Sequence, residues 1–193
     1  MSQLRMIYLV RDSVPLPDPA VADGFRLRNF RKNELAAYSA LRLSAGFNAW
    51  TESDYDDLSA RLVGGGSGHF VIEETATGNM VASADAEVLN QELLQGMGIL
   101  GWVMSSPDHR GKRLGFCVCA AVMRHLAQHG FQVFQLSTDD FRVPAIKTYL
   151  NLGWQPWLYE PDMEERWRAL AQILDRTFGS LRALPEKLNI EVL

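Results

Sequence analysis

Val103-Met104-Ser105-Ser106-Pro107-Asp108-His109-Arg110-Gly111-Lys112-Arg113-Leu114-Gly115 decides the reading of this chain. It leaves an apolar stretch, Ile99 to Ser105, that reads as a strand, and passes a proline into three basic residues interleaved with glycine. Beyond it, Leu114, Val118, Ala121, Val122 and Leu126 recur at helical spacing, and Gly130 ends the pattern near His129. A helix N-terminus presents N–H groups without intrahelical partners and the positive end of the macrodipole. Gly111 and Gly115 let the backbone approach a ligand closely, and Arg110, Lys112 and Arg113 add positive charge. Together they describe a site for a phosphate or pyrophosphate. The plainer alternative is a solvated basic turn that only caps a helix. This turn has neither G-x-x-x-x-G-K-[ST] nor G-x-G-x-x-G spacing, so it is not a nucleotide loop of those kinds.

Upstream, the apolar run Met6 to Val10 reads as a strand, followed by the proline-rich connector Val14 to Pro19. Phe25 to Arg28 reads as a short strand. Asn33 is placed to cap a helix towards Leu43, and Thr51 or Ser53 to cap a second ending near Val63, before a flexible loop begun by Gly64-Gly65-Gly66. His69 to Glu74 and Met80 to Leu89 flank a turn-rich link, the pattern of a hairpin. In its second strand Met80, Ala82, Ala84, Ala86 and Val88 share one face, small enough for close packing by a helix. Ser83, Asp85 and Glu87 share the other, which reads as a solvated face unless a cleft lies there. Downstream follow a strand from Phe131 to Thr138, a short helix from Pro144 to Leu152, a strand from Trp154 to Tyr159 and an amphipathic helix from Asp162 to Phe178. Strands with interspersed helices on one sheet make an α/β or α+β domain.

Composition bounds the function. The chain has 193 residues, 47% hydrophobic and 22% charged, with net charge -4, which suits one globular domain with extensions. The acidic total argues against a general nucleic-acid surface. No run approaches the ~18 apolar residues of a membrane span, and no secretory leader is visible, so the chain reads as cytoplasmic. Cys117 and Cys119 point ~200° apart on a helix, a poor geometry for a disulfide and consistent with a reducing compartment. No metal-ligand spacing appears among the two cysteines and four histidines.

The stretch from Val103 to Gly115 resembles the acyl-CoA-binding motif of the GNAT superfamily of N-acetyltransferases: Arg or Gln, two residues, Gly, one residue, Gly or Ala, after a strand and a proline. Arg113 stands where that pattern carries its middle glycine. Ala145-Ile146-Lys147-Thr148-Tyr149-Leu150-Asn151-Leu152-Gly153-Trp154 is similar to the second signature of the family. Arg142 occupies the place where an asparagine often precedes that alanine.

The resemblance implies a single mixed, mostly antiparallel sheet with helices on both faces and two splayed parallel strands, Ile99–Ser105 and Phe131–Thr138, holding acetyl-CoA. Residues 1–24 would be an N-terminal strand and connector, 25–160 the acyltransferase-like domain, and 161–193 a helical extension packed on it. The pantetheine arm would pair with the backbone of Val103, Met104 and Ser105. The pyrophosphate would take the N–H groups of Gly111, Lys112, Arg113, Leu114, Gly115 and Phe116 beside the Arg110 side chain. In the reaction implied, a primary amine, on a small molecule or a protein, attacks the thioester directly. The Val103 N–H would stabilise the oxyanion, and Tyr149 would protonate the departing thiolate. For the base, Glu87 stands first, with Asp85, His69 and a water chain as alternatives. Phe47, Asn48, Trp50 and Tyr55 fall in the region that shapes the acceptor site, and His109 caps or solvates the turn. A homodimer is left open. The competing expectation is a non-catalytic acyl-CoA-binding module of the same fold.

Overall fold

The structure, a computed structural model, describes residues 2–186. Its strands are β1 (Leu4–Leu9), β2 (Phe25–Asn29), β3 (His69–Glu74), β4 (Met80–Glu87), β5 (Gly98–Ser105), β6 (Val133–Thr138) and β7 (Gln155–Trp157). They form one sheet in the order β2-β3-β4-β5-β6-β1-β7. All neighbours run antiparallel except β5 and β6, which are parallel. The mixed, mostly antiparallel sheet expected from the sequence is the one found. β1 lies inside it, hydrogen-bonded to β6 on one side and β7 on the other.

Helices cover both faces. On one lie α3 (Leu114–Gln128), α4 (Val143–Asn151) and α5 (Met163–Ile173). Ala82, Ala84 and Ala86 of β4 are fully buried in the same core as Val118, Val122 and Met123 of α3, where small side chains let helix and sheet approach closely. Trp167 and Leu170 of α5 complete that core. The opposite face carries α1 (Leu35–Ser44) and α2 (Glu52–Ser59), which bury Tyr38, Leu41, Tyr55 and Leu58 against Phe30, Val71 and Met104. No helix among the described residues is long and apolar enough to cross a membrane.

Several local expectations need correction. The Ser83, Asp85 and Glu87 face of β4 is not solvated: all eight residues of the strand are buried, because α1 and α2 roof it. Asn33 does not cap α1; it sits in a 3-10 turn, Lys32–Glu34, and Glu34 is tied to Arg28 by two hydrogen bonds of 2.8 and 2.9 Å. Thr51 caps α2 as expected, in a reciprocal box with Asp54. That helix ends at Ser59 rather than near Val63, since Val63 donates to the Ala86 carbonyl at 2.9 Å and Leu62 bridges Glu87. Gly65–Gly68 form a 3-10 turn that feeds β3 directly.

Candidate active site

The site forms where the sheet parts. β5 and β6 pair only at Gly98 with Phe134 and Ile99 with Gln135, and from Leu100 and Leu136 onward they are unpaired. The cause lies in β5. Between the pairs Ser83 with Met104 and Asp85 with Gly101, β4 has one residue and β5 has two, Trp102 and Val103. This bulge puts Trp102 at φ 43, a left-handed conformation that costs a bulky residue roughly 1–2 kcal/mol and bends the strand away from its neighbour. Ser106 donates to the Val81 carbonyl at 2.8 Å, on the β4 side. Two-residue alternation sends the Met104 backbone to that side too, and the backbone of Val103 and Ser105 to the gap. Of the three residues Met104 is therefore the one whose backbone turns away from the gap, and its side chain is buried in the α1–α2 core.

A cleft of about 400 Å³ opens there, lined by Glu87, Gly101, Trp102, Val103, Tyr149 and Phe47 among others. Glu87 reaches it over Gly101, where an added Cβ would lie 2.0 Å from Glu87 Oε1. Arg61 Nε donates to Glu87 Oε2 at 3.1 Å. Burial nevertheless dominates and raises the Glu87 carboxyl above its ordinary range, with Arg61 opposing. Tyr149 enters from α4 on the other face of the sheet and is 5% exposed. Burial pushes its phenol up, so it keeps its proton at neutral pH.

Asp85 and His69, the alternatives to Glu87, are sealed away from the cleft. They face one another across β3 and β4, both 0% exposed, with His69 Nε2 3.4 Å from Asp85 Oδ1. Burial drives both towards neutrality: the imidazole falls to about 3 and the carboxyl rises well above its usual range. Of the acceptor-region residues named from sequence, Phe47 lines the cleft, Tyr55 packs under His69, and Trp50 stands against Trp102 with ring centres 5.0 Å apart.

The basic turn lies beyond the end of β5, outside the cleft lining. Arg110, Gly111, Lys112 and Arg113 are exposed, and among the described residues none of these three cations forms an ion pair. The first bond of α3 runs from the Cys117 N–H to the Arg113 carbonyl at 3.0 Å, leaving the N–H groups of Leu114, Gly115 and Phe116 without intrahelical partners. Arg113 itself sits at φ 58, which accounts for a glycine at that place in the motif it resembles. His109 bridges Glu74 at 3.2 Å and Ser106 at 3.3 Å, a structural position.

Sequence reasoning missed Arg5, Arg61, Gln135, Asp139 and Arg142 as cleft residues. Arg5 carried a signal: it is a lone cation in an apolar strand. The others take their place from chain crossings that no local pattern reports. A second cleft of about 410 Å³, at the far end of β1, contains none of the candidate catalytic or cofactor-binding residues.

A mixed sheet that parts between two parallel strands, above the N-terminus of a helix that follows one of them, defines a class of folds. Solved structures share it. A GCN5-related N-acetyltransferase from Sphaerobacter thermophilus superimposes with a TM-score of 0.63 at 17% identity, over 81% of this chain and 49% of that one. The ribosomal-protein-S18-alanine N-acetyltransferase of Escherichia coli does so with a TM-score of 0.54 at 19% identity, over 67% and 76%. The family model described as Acetyltransferase (GNAT) family matches residues 35–154, and the chain belongs to that family. Among curated proteins, a mycothiol acetyltransferase from Thermobispora bispora is 28% identical over 167 residues, 81% of this chain. The match spans 56% of that relative, so the chain covers little more than half its length.

Proposed function

We propose that the protein transfers an acetyl group from acetyl-CoA to a primary amine by direct attack. The observation that carries this reading is the gap beyond Gly98–Ile99 and Phe134–Gln135, with Glu87 on one side of the sheet and Tyr149 on the other. The free N–H groups of Leu114–Phe116 and the unpaired Arg110, Lys112 and Arg113 suit a pyrophosphate, with Gly111 giving close approach. The outward backbone of Val103 and Ser105 suits the amide-bearing arm, and the Val103 N–H is placed for charge developing on the thioester oxygen. Acetyl-CoA supplies the activated acyl carbon. The amine forms the C–N bond as the C–S bond breaks; Glu87 takes the amine proton and the Tyr149 hydroxyl protonates the leaving sulfur.

The test is thiol release from acetyl-CoA across a library of small amines and peptide N-termini. Amine-dependent release that saturates in both substrates is expected. Saturable acetyl-CoA binding with no turnover on any amine would instead support a non-catalytic acyl-CoA module.

A further inference from the structure

Three arginines line the cleft, Arg5, Arg61 and Arg142, against two carboxylates, Glu87 and Asp139. Both carboxylates are already matched. Glu87 accepts from Arg61 at 3.1 Å. Asp139 accepts from Arg142 Nε on one oxygen at 3.1 Å and from Gln3 Nε2 on the other at 3.2 Å. Arg5 is left over: among the described residues it forms no ion pair, and its buried Nη1 has no hydrogen-bond partner. A guanidinium is held here at some expense, because partly buried charge is stable only when compensated.

Nor is Arg5 loose. Its guanidinium carbon lies 4.6 Å from the ring centre of Tyr159 and 5.9 Å from that of Trp157. Tyr159 is itself anchored by donating its hydroxyl to the Gln3 carbonyl. Such a fork, fixed by stacking rather than by a carboxylate, is pre-organised for an oxyanion supplied from outside.

The side of the sheet matters as well. Along β1, Leu4, Met6 and Tyr8 face the α3–α4–α5 core, so Arg5 projects to the opposite face. Glu87 projects to that face too, since its neighbour Ala86 packs in the same core as α3. The proton acceptor of the proposed reaction and the unpaired cation thus share one chamber, while Tyr149 and the basic turn come from the other side.

We propose that Arg5 binds an anionic group, carboxylate or phosphate, on the acceptor amine. This rests on the acetyltransferase reading and names its substrate class. Two strands, β5 and β6, separate β4 from β1, so the two backbones lie at least roughly 14 Å apart at the usual strand spacing, and further where β5 and β6 part. Glu87 and Arg5 reaching inward shorten that span without closing it. The acceptor therefore carries its anion several bonds from its amine, and α-amino acids are too short.

The test uses matched pairs: 6-aminohexanoate with 6-aminohexanamide, glycylglycine with glycylglycinamide, and glucosamine 6-phosphate with glucosamine. In thiol release, the anionic member of at least one pair should have a kcat/KM ~10–100-fold above its neutral partner. The carboxylate and phosphate pairs separate the two anion sources. Arg5→Met, which keeps the stem that packs on Tyr159 and Trp157, should abolish the preference through KM, and Arg5→Lys should restore part of it. Equal rates within every pair, or an Arg5→Met change that slows both members alike, would overturn the proposal. If no amine is turned over, tryptophan fluorescence titrations with 6-aminohexanoate and glucosamine 6-phosphate decide it separately. Saturation lost in Arg5→Met supports the anion site, and its absence in the unaltered protein refutes it. If Arg5→Met fails to fold, Arg5→Lys carries the same comparison, with an intermediate preference expected and an unchanged one overturning it.

Discussion

The two faces of the sheet solve opposite problems. Under α3 the surface is apolar and small, with Ala82, Ala84 and Ala86 against Val118, Val122 and Met123, and every side chain there contributes to packing. Under α1 and α2 the same strand presents Ser83 and Asp85 beside Tyr38, Arg42 and His69; the Ser83 and Tyr38 hydroxyls, the Asp85 carboxyl, Arg42 Nη1 and the His69 ring nitrogens find no hydrogen-bond partner among the described residues. Each such atom costs about 1–3 kcal/mol. One face therefore makes the fold stable and fixes the helix N-terminus that suits a cofactor. The other gives up stability to bury these polar groups, none of which lines the cleft. The contrast is sharpest within β4, where alternate residues of one strand serve each purpose.

The largest effect expected from this division is at the residue that crosses it. Tyr149 is rooted in the apolar core yet lines the cleft, so Tyr149→Phe should preserve the melting temperature while slowing acetyl transfer ~10²–10⁴-fold. A rate within a few-fold of the parent would place Tyr149 in the core alone. Glu87→Gln comes next, with a loss of ~10². Because burial raises the Glu87 carboxyl, the rate of the parent should climb with pH above the ordinary carboxylate range, and the variant should lose that limb. Gly101→Ala tests the same group indirectly. Its Cβ would meet Glu87 Oε1 and displace it, so a matching, weaker loss is expected.

How far the sequence reaches follows the same boundary. The apolar face was legible, because helical spacing from Leu114 to Leu126 and the alanine alternation of β4 are local patterns tied to one packing surface. The basic turn was legible for the same reason: it is contiguous. The polar face was not. Alternation in β4 marked Asp85 and Glu87 as equivalents, yet one is sealed against His69 and the other opens on the cleft beside Arg61. That difference arises from where α1 and α2 stop and from the bulge at Trp102, neither of which leaves a periodic trace. Arg5 and Glu87 are brought together only by a strand order in which the first strand is inserted between the sixth and the last.

The sealed pair should show in stability. His69 is held neutral, with its value near 3, so the stability it lends above pH ~6.5 is lost as pH falls from there towards 3. Asp85 is held protonated, so its contribution is full below pH ~3.9 and is lost as pH rises through that value towards its raised one. The slopes oppose each other from about pH 4 up to the lower of pH ~6.5 and the raised Asp85 value, and the parent should be flatter there than either group alone would make it. Asp85→Asn removes one of them. Denaturant unfolding should show the variant stabilised by ~1–3 kcal/mol at pH 8 and falling steeply below pH 6.5. Parallel profiles for parent and variant would mean that Asp85 is ionised and compensated inside the fold.

The smallest effect tests the cofactor end of the comparison. Arg113 occupies a left-handed position at the start of α3, its guanidinium 4.5 Å from the Phe116 ring centre, with no ion pair among the described residues. Arg113→Gly relieves ~1–2 kcal/mol of backbone strain but adds ~0.5–1 kcal/mol of unfolded-state entropy, so stability should rise by no more than ~1.5 kcal/mol. If that cation faces the pyrophosphate, the same variant should bind acetyl-CoA several-fold more weakly, with a shallower salt dependence. A stability gain accompanied by unchanged affinity would assign the turn's anion binding to the free N–H groups of Leu114–Phe116 and leave Arg113 as a strained solvent-facing cation. Either result separates the backbone contribution to that site from the side-chain one, which the glycine of the family pattern leaves merged.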